Sequence, residues 1–328
     1  MKLLVTGGLG FIGSNFIRYI LNRHKTYSVI NIDALTYAGC INNLSDLESN
    51  PRYRFIKENI CKYDVIKNLM KDVDCCINFA AETHVDNSIA NSDRFINTNI
   101  LGTHVLLECA RSAGLKRYIQ ISTDEVYGSL GEDGYFDELN PLSPNNPYSA
   151  SKASADLLVM SYFKTYKLPV TIVRCSNNYG PYQHPEKFIP LAIGKLLSNE
   201  DIPVYGDGLY VRDWLYVHDN CEAIDVVLHS GNEGEIYNVG GESEKTNIEV
   251  AQLLIELTSS KGQIKSVKDR PGHDRRYAMN SDKIKSTLLW KPKTSFEKGL
   301  TDTVEWYVNN RKWFLGRSIS DAVSSHVL

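Results

Sequence analysis

Residues 3–13 read Leu3-Leu4-Val5-Thr6-Gly7-Gly8-Leu9-Gly10-Phe11-Ile12-Gly13, and this stretch decides the fold. A short apolar run enters a glycine turn, and an amphipathic run over residues 12–23 leaves it. The spacing is Gly-x-x-Gly-x-x-Gly, tighter than the commoner Gly-x-Gly-x-x-Gly. Strand, glycine turn and helix in that order open a βαβ unit built to receive a dinucleotide. Gly7 permits the sharp turn, Gly10 lets backbone amides approach a pyrophosphate, and Gly13 lets the helix pack close to the strand. The helix N-terminus adds partial positive charge, to which Phe11 and Ile12 contribute backbone amides.

A glycine-rich turn with no ligand is the bland alternative. Asp33, twenty residues past Gly13, weighs against it. A carboxylate at the end of the second strand accepts hydrogen bonds from an adenosine ribose. It also repels a 2′-phosphate, and no Arg or Lys occurs in Asp33-Ala34-Leu35-Thr36-Tyr37. The expected cofactor is therefore NAD rather than NADP.

Outward from this unit, strand-like runs fall at 29–32, 53–56, 75–79, 118–122 and 170–174, with helix-like segments at 65–71, 92–113 and 148–166. Continuous apolar strands alternating with helices predict a doubly wound parallel sheet, a Rossmann-like α/β fold. Residues 1–175 are expected to form this NAD-binding domain. After Arg174 the chain becomes rich in Asn, Tyr, Gly and Pro. Residues 176–313 are expected to form a smaller α/β substrate lobe with a discontinuous boundary, since later strands such as 236–239 can return to the first sheet. Residues 314–328 read as a tail.

Composition narrows the function. The net charge of −3 gives no general attraction to nucleic acid or an anionic membrane. No apolar run is long enough to span a membrane, and the apolar N-terminus is too brief for a signal peptide. Seven cysteines without metal spacing read as reduced, buried thiols of a cytoplasmic protein. No metal site is expected.

Tyr148-Ser149-Ala150-Ser151-Lys152 places Tyr and Lys at i and i+4, on one helix face. An ammonium there is expected to lower the Tyr148 pKa and make it a base. The spacing alone is weak, because it occurs by chance on exposed helices. Its position after the strand end Ser122-Thr123-Asp124-Glu125-Val126-Tyr127-Gly128 strengthens it. Ligands of parallel sheets bind outside the carboxyl ends of strands. Two adjacent carboxylates there invite an acid and a base with separated pKa values. A solvated acidic loop is the bland alternative, and the shared strand end argues against it.

These segments resemble the extended short-chain dehydrogenase/reductase family, and within it the nucleotide-sugar 4,6-dehydratases. The resemblance rests on Gly7–Gly13, Asp33–Gly39, Asn78–Asp86 (NFAAETHVD), Ser122–Gly128 (STDEVYG), Tyr148–Lys152, Arg174–Pro190, Arg212–Asp219 (RDWLYVHD) and Arg270–Tyr277 (RPGHDRRY). It spans nearly the whole chain. It implies that Tyr148 takes the proton of a sugar 4-hydroxyl, with Thr123 beside it. Glu125 then removes the C5 proton, and Asp124 protonates the departing 6-hydroxyl. It implies cofactor contacts from Leu35, Thr36, Asn59, Ile60, Ala80, Ala81, Thr98, Lys152 and Asn178. Thr83, Asn177, Lys187, Arg212, Asn247, Arg270 and His273 would meet a nucleotide diphosphate or its sugar. The implied substrate is dTDP-glucose, although UDP and CDP remain open on physical grounds. A homodimer through a four-helix bundle built on 92–113 and 148–166 is implied as well.

Two positions depart from the family pattern. Asn59 stands where Asp is usual, and Thr83 where Ser is common; each keeps the needed oxygen. His84 reads as a structural histidine rather than a catalytic one. Two rival readings remain. A UDP-sugar 4-epimerase shares the fold and the Tyr–Lys pair but has no need of Asp124 and Glu125. A non-catalytic NAD-binding protein would be expected to have lost part of the set that this chain keeps.

Overall fold

The computed structural model describes residues 1–269 and 271–321. The strands are β1 (Lys2–Thr6), β2 (Ser28–Asp33), β3 (Tyr53–Lys57), β4 (Cys75–Asn78), β5 (Arg117–Thr123), β6 (Val170–Cys175), β7 (Asn177–Tyr179), β8 (Ile202–Tyr205), β9 (Val211–Tyr216), β10 (Ile236–Val239), β11 (Glu244–Thr246) and β12 (Ile264–Val267). The helices are α1 (Phe11–Arg23), α2 (Tyr63–Met70), α3 (Val85–Ala90), α4 (Asp93–Phe95), α5 (Thr103–Ala113), α6 (Pro147–Tyr166), α7 (Phe188–Leu197), α8 (Val217–Ser230), α9 (Asn247–Thr258), α10 (Asp282–Leu288), α11 (Phe296–Asn309) and α12 (Arg311–Asp321).

Among the described residues the main sheet has seven strands in the order β10-β6-β5-β4-β1-β2-β3, and its ladders are parallel. The order reverses between β1 and β4, which opens a crevice above their carboxyl ends. Both faces are covered. Leu3 and Val5 turn to α1 and α8, while Leu4 and Ile30 turn to α2, α5 and α6. Cys75 and Cys76 obey the same alternation and join opposite clusters as free thiols. Each fully buried Leu or Ile contributes roughly 1.5–3 kcal/mol through burial.

Two smaller sheets, β11-β9-β7 and β12-β8, pack with α7, α9 and α11 around Tyr179, Trp214 and Leu254. Phe314, at the start of the expected tail, is buried in this cluster. β10 leaves this half of the chain and pairs with β6 from Ile236↔Ile172 to Val239↔Cys175.

The expected helix at 92–113 is not uniform. A π-helical turn, Ile96–Gly102, joins α4 to α5. The Thr103 hydroxyl donates to the Asn99 carbonyl at 2.7 Å, a back-bond that bends helices. A Cβ on Gly102 would stand 2.4 Å from Ile60 Cδ1, so a larger residue there would have to push the Ile60 side chain aside. The wider turn swings Asn99 inward, and periodicity alone does not announce it. No helix of the described residues is long and apolar enough to cross a membrane.

Candidate active site

The glycine turn is closed by its own backbone and by Asp33. Gly7 has φ +66°, and a Cβ there would lie 2.6 Å from the Ala80 amide nitrogen. A Cβ on Gly13 would lie 2.5 Å from the Gly7 carbonyl oxygen. The Leu9 amide donates to Asp33 Oδ2 at 2.9 Å, and the Leu35 amide to Oδ1 at 2.8 Å. Burial raises the Asp33 pKa, and these two amides oppose it. Each oxygen keeps a further lone pair for a ribose hydroxyl.

A cavity of about 290 Å³ runs from this turn along the crevice. Its cofactor-side wall is Gly7, Gly10, Phe11, Ile12, Gly13, Asp33, Thr36, Asn59, Ile60, Ala80, Ala81 and Thr98. Its other end carries Thr83, Thr123, Asp124, Glu125, Tyr148, Lys152, Asn177, Asn178 and Lys187. Leu35 sits in the Asp33 loop without lining the cavity. The residues present fit a dinucleotide: a collar of backbone amides, a ribose carboxylate, and small side chains between them.

The catalytic candidates converge from two elements. β5 ends at Thr123, whose Oγ1 accepts from the Glu125 amide at 3.3 Å and starts one tight helical turn, Asp124–Tyr127. Gly128, at φ +88°, closes that turn. α6 begins with a capping box: Asn146 Oδ1 accepts from the Ser149 amide at 2.9 Å, with Pro147 in the first turn. This cap sets Tyr148 and Lys152 in the first turns of the helix, facing the cavity. Thr123 donates to Asp124 Oδ1 at 3.1 Å and shares a hydrogen bond with the Tyr148 hydroxyl.

Electrostatics separates the groups. Burial, with the neighbouring Glu125 carboxylate, pushes the Asp124 pKa up to about 8. Its Oδ2 has no hydrogen-bond partner among the described residues. Asp124 is thus a carboxylic acid that carries its proton near neutral pH. The expected lowering of Tyr148 is corrected here. Burial and then Glu125 hold its phenol well above the ordinary value. The Lys152 ammonium instead donates to the Ile121 carbonyl at 2.6 Å. Burial lowers the Lys152 pKa, and Asp156 opposes this.

Behind the site a buried network ties the elements together. Arg174 on β6 donates to Asp156 on α6 at 2.9 Å and to the Tyr127 hydroxyl at 2.8 Å. Tyr127 donates in turn to Asn238 Oδ1 on β10 at 2.8 Å. Asn99, from the π-helical turn, accepts from the Glu82 amide at 2.9 Å and donates to Ser151 Oγ at 2.8 Å.

The remaining substrate candidates gather elsewhere, around Tyr210. His273 stacks on its ring at 3.8 Å, and the Asn247 amide donates to its carbonyl at 3.1 Å. The Arg212 guanidinium lies 4.4 Å from the Tyr277 ring and donates to the Asp274 carbonyl at 2.9 Å. His273 Nδ1 is 2.8 Å from Asp269. Arg270 lies outside the described residues. Among the cavity residues, Lys187 donates to the Thr83 carbonyl at 3.1 Å, and Asn177 Oδ1 is buried without a partner among the described residues. His84 caps α3, with Nδ1 accepting from the Asn87 amide at 3.3 Å.

Sequence reasoning missed several residues of this wall: Glu82, Gln183, His184 and Glu186 line the cavity. The Tyr37 hydroxyl donates to Glu186 at 3.2 Å, joining the loop after β2 to the segment before α7. Glu82 and Glu186 stand in segments already singled out, and carboxylates in loops that follow strand ends were the available signal.

A model of the family described as GDP-mannose 4,6 dehydratase matches residues 4–303. The dTDP-glucose 4,6-dehydratase of Xanthomonas campestris pv. campestris (strain B100) is 49% identical, over 95% of this chain and 95% of its own. The crystal structure of dTDP-glucose 4,6-dehydratase from Bacillus anthracis in complex with NAD is 50% identical, with a TM-score of 0.91, covering 97% of this chain and 99% of that one. The same enzyme from Streptomyces venezuelae, solved with NAD bound, is 46% identical, with a TM-score of 0.93, covering 97% and 100%. By sequence and by fold, the chain belongs to the nucleotide-sugar 4,6-dehydratases of the extended short-chain dehydrogenase/reductase family.

Proposed function

We propose that this chain is an NAD-dependent dTDP-glucose 4,6-dehydratase, a hydro-lyase that yields dTDP-4-keto-6-deoxyglucose. One observation carries the reading: adjacent Asp124 and Glu125 share a cavity with Tyr148, and Asp124 is held protonated up to about pH 8. An oxidation alone needs no such acid.

Bound NAD, held by the glycine turn, Asp33 and Lys152, supplies a hydride acceptor at C4 and later a hydride donor at C6. Tyr148 takes the 4-hydroxyl proton. Only its phenolate can accept that proton, and its raised pKa keeps that form scarce. The 4-ketone acidifies the C5 proton, which Glu125 removes. Asp124 gives its own proton to the leaving 6-oxygen, and water departs. The Glu125 proton then returns to C5, and the proton taken by Tyr148 passes through the Thr123 hydroxyl to Asp124, so acid, base and cofactor end as they began. Asn177, Lys187 and Thr83 are suited to the sugar. Arg212, Asn247, His273 and Arg270 are suited to the diphosphate end, where cationic donors match two phosphates.

We divide the chain into an NAD-binding domain, 1–175 with β10 added, a substrate lobe over 176–313, and the remaining tail. We also propose a homodimer through α5 and α6, working in the cytoplasm on the way to a deoxysugar such as rhamnose. Ile96 and Leu101 on the π-helical turn before α5, with Leu157 and Tyr166 on α6, expose 46–62% of their surface in the single chain.

The test is the product of dTDP-glucose with NAD present, compared for the wild type and Glu125→Gln. The wild type gives a product lighter by one water. The variant binds NAD normally and loses at least a hundredfold in water release. Unchanged mass with an altered sugar identifies an epimerase instead, and no product from any nucleotide sugar identifies a binding protein. Loss of NAD binding in Glu125→Gln overturns the role given to Glu125.

A further inference from the structure

We propose that His24, Asp225 and His229 bind one divalent cation of the zinc, cobalt or nickel kind, at a site separate from the nucleotide-sugar machinery. The ligand atoms are already gathered. His24 Nε2 lies 3.0 Å from both Asp225 carboxylate oxygens, and His229 Nδ1 lies 3.0 Å from Oδ1. One ligand atom from each residue falls within 4.8 Å of the others. With metal–ligand bonds of about 2.0–2.2 Å, neighbouring tetrahedral ligands stand about 3.4 Å apart. The two imidazole–carboxylate distances therefore lengthen by only a few tenths of an ångström to admit the ion.

Sequence position explains the grouping. Asp225 and His229 are i and i+4 on α8 and share a face. His24 is the residue that ends α1, which packs along α8. Two imidazoles and one carboxylate suit a borderline divalent ion better than calcium or magnesium, which prefer oxygen.

The surroundings hold these ligands as metal sites hold theirs. The Tyr27 hydroxyl lies 2.7 Å from His229 Nε2, and the Tyr19 hydroxyl bonds Asp225. The Tyr27 ring stacks on His24 at 4.5 Å. Rotamer freedom is thus lost before an ion arrives. Asp225 is 9% exposed and the histidines 24% and 31%, so an ion enters from solvent and waters complete its shell.

The metal-free form is a proton-bridged clasp. His24 Nε2–H donates to Asp225, and His229 Nδ1 also lies 2.8 Å from the Asp225 backbone carbonyl. When the ion binds, the nitrogen that faces it carries no hydrogen, and the ring hydrogen sits on the far nitrogen. His229 Nε2–H then donates to Tyr27. The ion fastens α1 to α8 at the helix end remote from the glycine turn, a 13-residue helix away, or about 20 Å.

The experiment uses the full chain, stripped with chelator and titrated with zinc chloride by calorimetry and with cobalt chloride by visible absorption. The wild type binds one equivalent and gains melting temperature with zinc. His24→Ala and His229→Ala each weaken binding at least tenfold and lose that gain, while turnover is unchanged. His24→Gln and His229→Gln, closer in volume, repeat the result should either alanine variant fold poorly. The proposal is overturned if the wild type shows no saturable binding up to millimolar zinc. It is equally overturned if the double alanine variant binds as the wild type does.

Discussion

Asp124 holds its proton at the expense of the fold. Its pKa rises from 3.8 to about 8 because burial and Glu125 disfavour the charge. The folded chain therefore binds this proton more tightly than the unfolded chain does. Stability from that source is fully present below the unfolded value and is lost as pH climbs through about 8. A tenfold change in proton affinity corresponds to about 1.4 kcal/mol, so the strain near pH 7 amounts to roughly 2–4 kcal/mol. Asp124→Asn keeps the shape without the titration. It should unfold at higher denaturant than the wild type, with a gap that widens from pH 5 to pH 8, while dehydration falls by at least a hundredfold. A gap that stays constant across that range would show that Asp124 is not the strained group.

At the scale of elements, the site stands where three pieces of backbone are fastened from behind. Arg174 joins β6 to α6 through Asp156 and to the Asp124–Tyr127 turn through Tyr127. Both charges of the Arg174–Asp156 pair are nearly inaccessible, at 3% and 1% exposure. Removing one partner strands the other, which typically costs 3–5 kcal/mol. Arg174→Met should destabilise by about that amount, and Asp156→Asn in the same chain should recover a large part of it. Urea unfolding of the two single variants and the double variant measures this. Strictly additive effects would mean that the pair does not act as a unit.

The elements legible in the sequence are those whose residues admit one backbone. Gly7, Gly13 and Asp33 specify the first βαβ unit by themselves, whereas the expected start of α6, at Tyr148, misses its Asn146-Pro147 cap. The π-helical turn was not legible. It depends on Gly102 meeting Ile60 and on Thr103 capturing a carbonyl, and neither contact has a periodic signature. The Tyr210 cluster was legible only in its polar members, Arg212, Asn247 and His273. Its aromatic centre is assembled by β9, α9 and the 269–277 loop from distant parts of the chain. The Tyr148 pKa was misjudged because spacing announces a nearby lysine and is silent about the burial of the phenol and the Glu125 carboxylate beside it.

For the whole molecule, the exposed apolar side chains of α6 make the assembly testable. Leu157 is 62% exposed on a helix that otherwise packs into the main sheet. Leu157→Arg should convert the proposed dimer to a monomer in sedimentation velocity while leaving NAD affinity within twofold. A wild type that sediments as a monomer would remove the dimer from the account.

The pairing of β10 with β6 also bears on how the chain is made. β6 is buried along its whole length, yet its outer partner is sixty residues further on, beyond β7, β8, β9 and α8. A nascent chain that has emerged only as far as Cys175 presents an apolar strand with unpaired amides and carbonyls along one side. Such an edge recruits foreign strands. Ile236–Val239 closes that side of β6 when it pairs from Ile236↔Ile172 to Val239↔Cys175.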